Sequence, residues 1–261
     1  MKITANRIQI HVRERGEGDI ALVFLHYWGG SSRTWAAVAE ALSPRCRTVA
    51  IDHRGWGDSD APEEGYRIGD LADDAEAVIQ VLGLERHVLV GHSMGGKVAQ
   101  LLASRRPAGL RGLVLVAPAP PTPMPLSDEQ RATMARAYDA PESVGIVLDH
   151  VLTARPLSAA LRQQVIEDSL RGAPAAKAAW PHVASQEDIS ADVASIDAPA
   201  LVIAGELDKV ERLDVLRREV VPRIAGAGLR VLPGTGHLSP LEAPVALASA
   251  LRDFVTELES A

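Results

Sequence analysis

The sequence holds a single cysteine, Cys46, so no intrachain disulfide can form. Cys46 precedes an apolar run and reads as a small buried hydrophobe. Aromatic residues are scarce, at 3% of the chain, so each tryptophan carries more information than usual. No apolar stretch of about 18 residues exists, which excludes a transmembrane helix. The N-terminus, MKITANRIQIHVRERG, alternates apolar and polar residues like a strand. It has no apolar core of the kind a signal peptide needs. No run of five Lys or Arg appears, which argues against nucleic acid as a partner. There is no H-E-x-x-H and no Cys/His cluster, so no metal and no organic cofactor are expected. These absences describe an expected soluble, cytoplasmic protein without a membrane partner. The net charge of −7 is spread along the chain. It favours solubility and specifies neither a partner nor an oligomeric state.

The 261 residues suit one large α/β domain, or one with a small insertion. At 47% hydrophobic, the chain can cover both faces of a buried parallel sheet. Two kinds of segment alternate. Ile20–Leu25, Arg47–Ile51, His87–Val90, Leu113–Val116, Ala200–Ala204 and Leu229–Leu232 read as buried strands. Thr34–Leu42, Ile68–Leu82, Met94–Ser104, Asp214–Val221 and Pro244–Leu258 have helical spacing. The alternation implies a doubly wound, mostly parallel sheet, with functional residues at the C-terminal strand ends. After Leu113–Val116 come five prolines between Pro118 and Pro125, and strand rhythm returns only at Ala200. Ser127 to Gln130 has the form of a capping box, and Leu157–Leu170 has helical periodicity. The expected organisation is a core of residues 1–118 and 196–261, with a helical cap inserted at 119–195.

Gly91-His92-Ser93-Met94-Gly95 lies between the strand HVLV and the helical MGGKVAQLLAS. This is G-x-S-x-G in the strand–turn–helix setting of a nucleophile elbow. Glycines flank the serine because side chains there would strike the adjacent strand and helix. The serine also sits at a helix N-terminus, where free N–H groups favour a developing oxyanion. Ser93 is the candidate nucleophile.

A serine hydroxyl needs a base. Of eight histidines, His237 follows the strand LRVL in Gly-Thr-Gly-His and ends at the same sheet edge as Ser93. His92 lies inside the elbow and is expected to point away. His26 and His53 also sit at strand ends and read as hydrogen-bonded structural histidines. The base needs a carboxylate to fix its tautomer. Asp208, after the strand ALVIA in Gly-Glu-Leu-Asp, gives the order Ser, Asp, His; Glu206 is its rival.

GHSMGG, Asp52-His53-Arg54-Gly55-Trp56-Gly57-Asp58-Ser59, GELD and GTGH fall in one order along nearly the whole chain. The set resembles the α/β-hydrolase fold family, most of all its compact bacterial esterases, enol-lactonases and cofactor-free haloperoxidase-like perhydrolases. The resemblance implies a Ser93–Asp208–His237 triad and backbone oxyanion donors at Trp28 and Met94. In Leu25-His26-Tyr27-Trp28-Gly29-Gly30, Tyr27 replaces the family's usual glycine. That leaves the local backbone and a substitute donor at Tyr27 N–H open. The Asp-x-Arg-Gly stretch reads as structure, with Arg54 and Asp58 serving loop backbone or each other. Trp56 reads as packing. The side chains of Tyr27, Trp28, Met94, Met124, Leu126, Trp180 and Leu238 are expected around the substrate.

The implied reaction is hydrolysis of a small or medium carboxylic ester or lactone through an acyl-enzyme. A perhydrolase, a C–C bond or amide hydrolase with the same triad, and a non-catalytic binder of this fold are the alternatives. Relatives with a carboxylate nucleophile are set aside, because position 93 is serine.

Overall fold

The computed structural model describes residues 1–43 and 45–260. Eight strands form one sheet: β1 (Lys2–Ala5), β2 (Ile8–Arg15), β3 (Ala21–Leu25), β4 (Arg47–Ile51), β5 (His87–His92), β6 (Leu110–Val116), β7 (Ala200–Gly205) and β8 (Gly228–Leu232), in the order β1-β2-β4-β3-β5-β6-β7-β8. Only β1 and β2 run antiparallel to their neighbours. The N-terminal alternation is therefore two strands rather than one. They turn at Asn6 and Arg7, with φ of 47° and 69°, the paired positive angles of a tight hairpin.

The central strands are buried on both faces, and their side chains divide between two cores with period two. Along β3, Ala21, Val23 and Leu25 enter one core, and Leu22 and Phe24 the other. The second core is closed by α1 (Ala36–Leu42) and, far along the chain, α11 (Pro244–Ser260). The first is closed by α2 (Ile68–Val81) and α3 (Met94–Ser104). The parallel register pairs Leu25 with Gly91, Val116 with Ile203 and Gly205 with Leu232. The loops after β3, β5, β6, β7 and β8 consequently leave from one edge of the sheet.

Between β6 and β7 lie α4 (Asp128–Ala135), α5 (Pro141–Val147), α6 (Ala159–Arg171), α7 (Pro174–His182) and α8 (Ser190–Val193), with no strand among the described residues. Ser127 caps α4. Its hydroxyl accepts from Gln130 N–H at 3.2 Å, and the Gln130 side chain accepts from Ser127 N–H at 2.8 Å. After α5 the helix widens over Leu148–Leu152, where Thr153 N–H bonds Leu148 O five residues back. Such wide turns tend to occur at functional sites. The remaining helices are α9 (Leu213–Glu219), which carries Asp214 as an exposed charge, and the short α10 (Ser239–Glu242). Cys46 is buried, and burial raises its thiol pKa. No helix among the described residues is long and apolar enough to cross a membrane.

Candidate active site

Ser93 joins β5 to α3 at φ 53°, ψ −115°, a conformation that typically costs about 1–3 kcal/mol in a residue other than glycine. Backbone bonds hold it there. Ser93 N–H donates to Val116 O at 3.1 Å, and Ser93 O accepts from Gly96, Lys97 and Ala119. The turn is so tight that a Cβ on Gly91 would lie 2.3 Å from Gly95 O, and one on Gly95 would lie 2.4 Å from Leu25 O. Both contacts are with backbone that cannot give way. The Ser93 hydroxyl makes no hydrogen bond among the described residues and borders a cavity of about 870 Å³.

His237 borders the same cavity. Its Nδ1–H donates to Asp208 Oδ2 at 2.9 Å, and both side chains are buried. Asp208 Oδ1 accepts from Val210 N–H at 2.7 Å and Glu211 N–H at 3.0 Å. That fixes the carboxylate plane and leaves His237 Nε2 as the ring's free lone pair. His92 points away from the cavity, and its Nε2–H donates to His237 O at 2.8 Å. Glu206 is spent on Gly234 N–H at 2.7 Å and braces the loop instead of the imidazole.

Tyr27 is not among the residues with positive φ; that angle falls to Gly29, at +96°. The tyrosine therefore needs no glycine-like backbone. Its carbonyl accepts from His26 Nδ1–H at 2.7 Å and from Gly30 N–H at 3.0 Å. In a trans peptide the next N–H points the opposite way, so these two bonds aim Trp28 N–H. Neither Trp28 N–H nor Met94 N–H, which opens α3, has a backbone partner among the described residues. The loop is also gripped from the helical segment. Tyr138 O–H donates to Trp28 O at 3.0 Å, Ser169 O–H to Gly29 O at 2.9 Å, and Ser31 O–H to Asp168 Oδ2 at 2.9 Å. Trp28 Nε1–H reaches Lys177 O at 3.2 Å, and its ring lies 4.2 Å from that of Tyr138.

His26 is buried, donates from Nδ1 and accepts at Nε2 from His53 N–H at 3.1 Å. Only the neutral ring can do both. Burial agrees, lowering its pKa from 6.5 to about 4. Burial drives His53 and His92 well below the usual range as well. His53 departs from the expected hydrogen-bonded histidine. Both its ring nitrogens are buried without partners, and the ring packs edge-on against His26.

The Asp-x-Arg-Gly stretch supports this edge. Asp52 accepts from Ser32 N–H, Asp58 N–H and His11 Nδ1. Arg54 does not pair with Asp58. Its guanidinium forks onto Asp74 of α2 with two 2.6 Å bonds and reaches Gly65 O at 2.7 Å. Asp58 pairs with Arg171. Trp56 is buried against His26.

The cavity is walled by Tyr27, Trp28, Met124, Leu126 and Trp180, as expected from the sequence. Leu238 and the Met94 side chain are not there. Leu238 is fully buried, with its N–H on Leu152 O at 3.1 Å, because the chain turns inward after His237 to start α10. The Met94 side chain is buried in the core beneath α3. Sequence reasoning missed Tyr138, Ile146, Val147, Val151 and Leu152 of the helical segment, and Glu211 after β7. Their helical or loop context carries no local mark of a cavity.

A family model described as alpha/beta hydrolase fold matches residues 20–143. A 2-succinyl-6-hydroxy-2,4-cyclohexadiene-1-carboxylate synthase of Serratia proteamaculans is 30% identical, over 94% of this chain and 96% of that protein. A 2-(acetamidomethylene)succinate hydrolase of Mesorhizobium japonicum is 27% identical, over 97% of this chain and 94% of its own. Among solved structures, an esterase from Exiguobacterium antarcticum superposes with a TM-score of 0.89 at 24% identity, over 98% of both chains.

Proposed function

The chain belongs to the α/β-hydrolase fold family, and on that premise we propose that it is a serine hydrolase cleaving a small or medium carboxylic ester or lactone through an acyl-enzyme on Ser93. One observation carries the reading. The strained serine and the imidazole of the buried Asp208–His237 pair open onto the same cavity.

Ser93 Oγ attacks the substrate carbonyl while His237 Nε2 takes its proton. Asp208 holds the Nδ1–H tautomer and stabilises the imidazolium. Trp28 N–H and Met94 N–H receive the oxyanion, each worth about 2.7–4 kcal/mol of barrier in comparable sites. His237 then protonates the leaving group. Water, deprotonated by His237, attacks the acyl-enzyme and releases the acid. The absence of a Ser93–His237 hydrogen bond in the free protein does not disqualify the pair, since such bonds tighten on substrate binding. The helices between β6 and β7 act as a cap whose apolar side chains, with Trp28, Met124, Leu126 and Trp180, suit an acyl chain.

The test is hydrolysis of p-nitrophenyl esters from acetate to octanoate by the wild type and by Ser93→Ala. Turnover by the wild type that nearly vanishes in the variant supports the reading, and the chain-length profile sizes the cavity. Equal activity in both removes Ser93 from the nucleophile role. Tight ligand binding without turnover in either points to a binder of this fold.

A further inference from the structure

Glu211 has no part in the chemistry above, yet it borders the same cavity as Ser93 and His237. It is only 3% exposed. Its backbone N–H is committed to Asp208 Oδ1 at 3.0 Å, which fixes where the side chain starts. Its carboxyl group makes no hydrogen bond or ion pair among the described residues. The nearby buried cation, Lys97, gives its ammonium to Thr122 O at 3.2 Å and Glu187 O at 2.5 Å instead. A buried carboxyl without a partner is costly, and most buried polar groups have one. Here the unfilled direction is the cavity.

We infer that Glu211 forms a substrate subsite whose carboxyl group hydrogen-bonds an uncharged oxygen function, a hydroxyl or a carbonyl, away from the bond that Ser93 attacks. Burial first, and then the Asp208 carboxylate, raise the Glu211 pKa well above the usual carboxylate range; Lys97 opposes this. When protonated, the group has one O–H to donate to a carbonyl and one carbonyl oxygen to accept from a hydroxyl. A substrate carboxylate would meet the Asp208 anion, and the two cations that border the cavity, Arg136 and Lys209, are solvent-exposed. A substrate ammonium would have to shed its water and pair with the Glu211 carboxylate, the form that burial disfavours. An alcohol or ketone oxygen needs neither. The chemistry of this subsite rests on the serine-hydrolase reading; its binding does not.

The experiment uses ester pairs of equal length, one member carrying a single hydroxyl or keto oxygen, in the acyl part in one series and in the alcohol part in another. The readout is the ratio of kcat/KM within each pair. The wild type favours the oxygenated member in at least one series. Glu211→Leu reduces that ratio about 10-fold, the scale of one buried hydrogen bond. Glu211→Gln, neutral and able to donate and accept, retains most of it. Glu211→Ala replaces the leucine variant if that chain does not fold, as judged by circular dichroism. A ratio unchanged by Glu211→Leu in both series overturns the inference. So does one common factor across all esters, or a preference confined to ammonium-bearing or carboxylate-bearing members. The same pairs prepared as non-hydrolysed amides are titrated into Ser93→Ala and Ser93→Ala/Glu211→Leu, with tryptophan fluorescence as signal. Preference for the oxygenated amide that disappears with Glu211 supports the subsite even if no ester is turned over, which separates its failure from that of the catalytic reading.

Discussion

The elbow at Ser93 is held by backbone, whereas the loop from Tyr27 to Ser31 that faces it is gripped by groups arriving from 110 to 149 residues downstream. In the elbow, carbonyls and N–H groups of β5, β6 and α3 satisfy one another, and glycines keep the space free. In the loop, His26 and Gly30 fix the Tyr27 carbonyl from within, and Tyr138, Ser169 and Asp168 fix the following residues from the helical segment. The difference teaches that Ser93 is positioned by backbone of the sheet and α3. The proposed oxyanion side is shared between the sheet and the inserted helices, so on that proposal sequence change in the insert alters catalysis as well as specificity.

The largest expected effect lies on the elbow's side. Asp208→Asn should lower kcat about 10⁴-fold, as when a triad carboxylate no longer enforces the imidazole tautomer, with little change in thermal stability. Activity near wild type would move the acid elsewhere and undo the pairing with His237. Gly95→Ala comes next. Its methyl group would press on the Leu25 backbone, and a loss of about 3 kcal/mol is expected from such overpacking. Urea denaturation within 0.5 kcal/mol of wild type would show that the elbow has slack, and the contrast with the loop would fade.

The third prediction sharpens the loop's side. Between pH 6.5 and about 4 the unfolded chain binds a proton at His26 that the folded protein refuses. Stability due to this group is therefore present above pH 6.5 and is lost as pH falls through that window. The shift corresponds to about 2–3 kcal/mol by pH 4.5. His26→Asn, which can still donate to Tyr27 O, should flatten that part of the decline in urea midpoints between pH 7 and pH 4.5. An equal decline in both proteins would remove His26 from the acid response. The smallest effect belongs to Tyr138→Phe. Losing one hydrogen bond to Trp28 O should cost about 1 kcal/mol, or 5- to 10-fold in kcat, with KM for short esters little altered. No change would mean that the core alone positions Trp28 N–H.

Much of this molecule was legible in its sequence where the controlling physics is local. The six runs became β3 to β8. Of these, β3 to β7 are covered on both faces and need continuous aliphatic residues, whereas β8, expected to be buried, is the edge strand and only Leu232 of it is buried. Met94–Ser104 and Ser127–Gln130 formed their helix and cap because spacing and capping act within one turn. Asp208 meets His237, and Ser93 borders the same cavity as His237, because three strand ends lie at one sheet edge. The misses are long-range or directional. Leu238, one residue beyond His237, turns into the core, and Arg54 finds Asp74 rather than its neighbour Asp58.

By itself the sequence determined the strand rhythm, the glycine-flanked serine and the order of serine, aspartate and histidine, since backbone sterics and hydrophobic period are written into consecutive residues. Only the tertiary structure decided that Tyr138 would hold Trp28, that α4, α5 and α7 would wall one cavity of about 870 Å³ with Ser93, and that Glu211 would border it without a partner among the described residues. Those features depend on which distant side chains packing brings within hydrogen-bond reach, and no stretch of neighbouring residues encodes that distance.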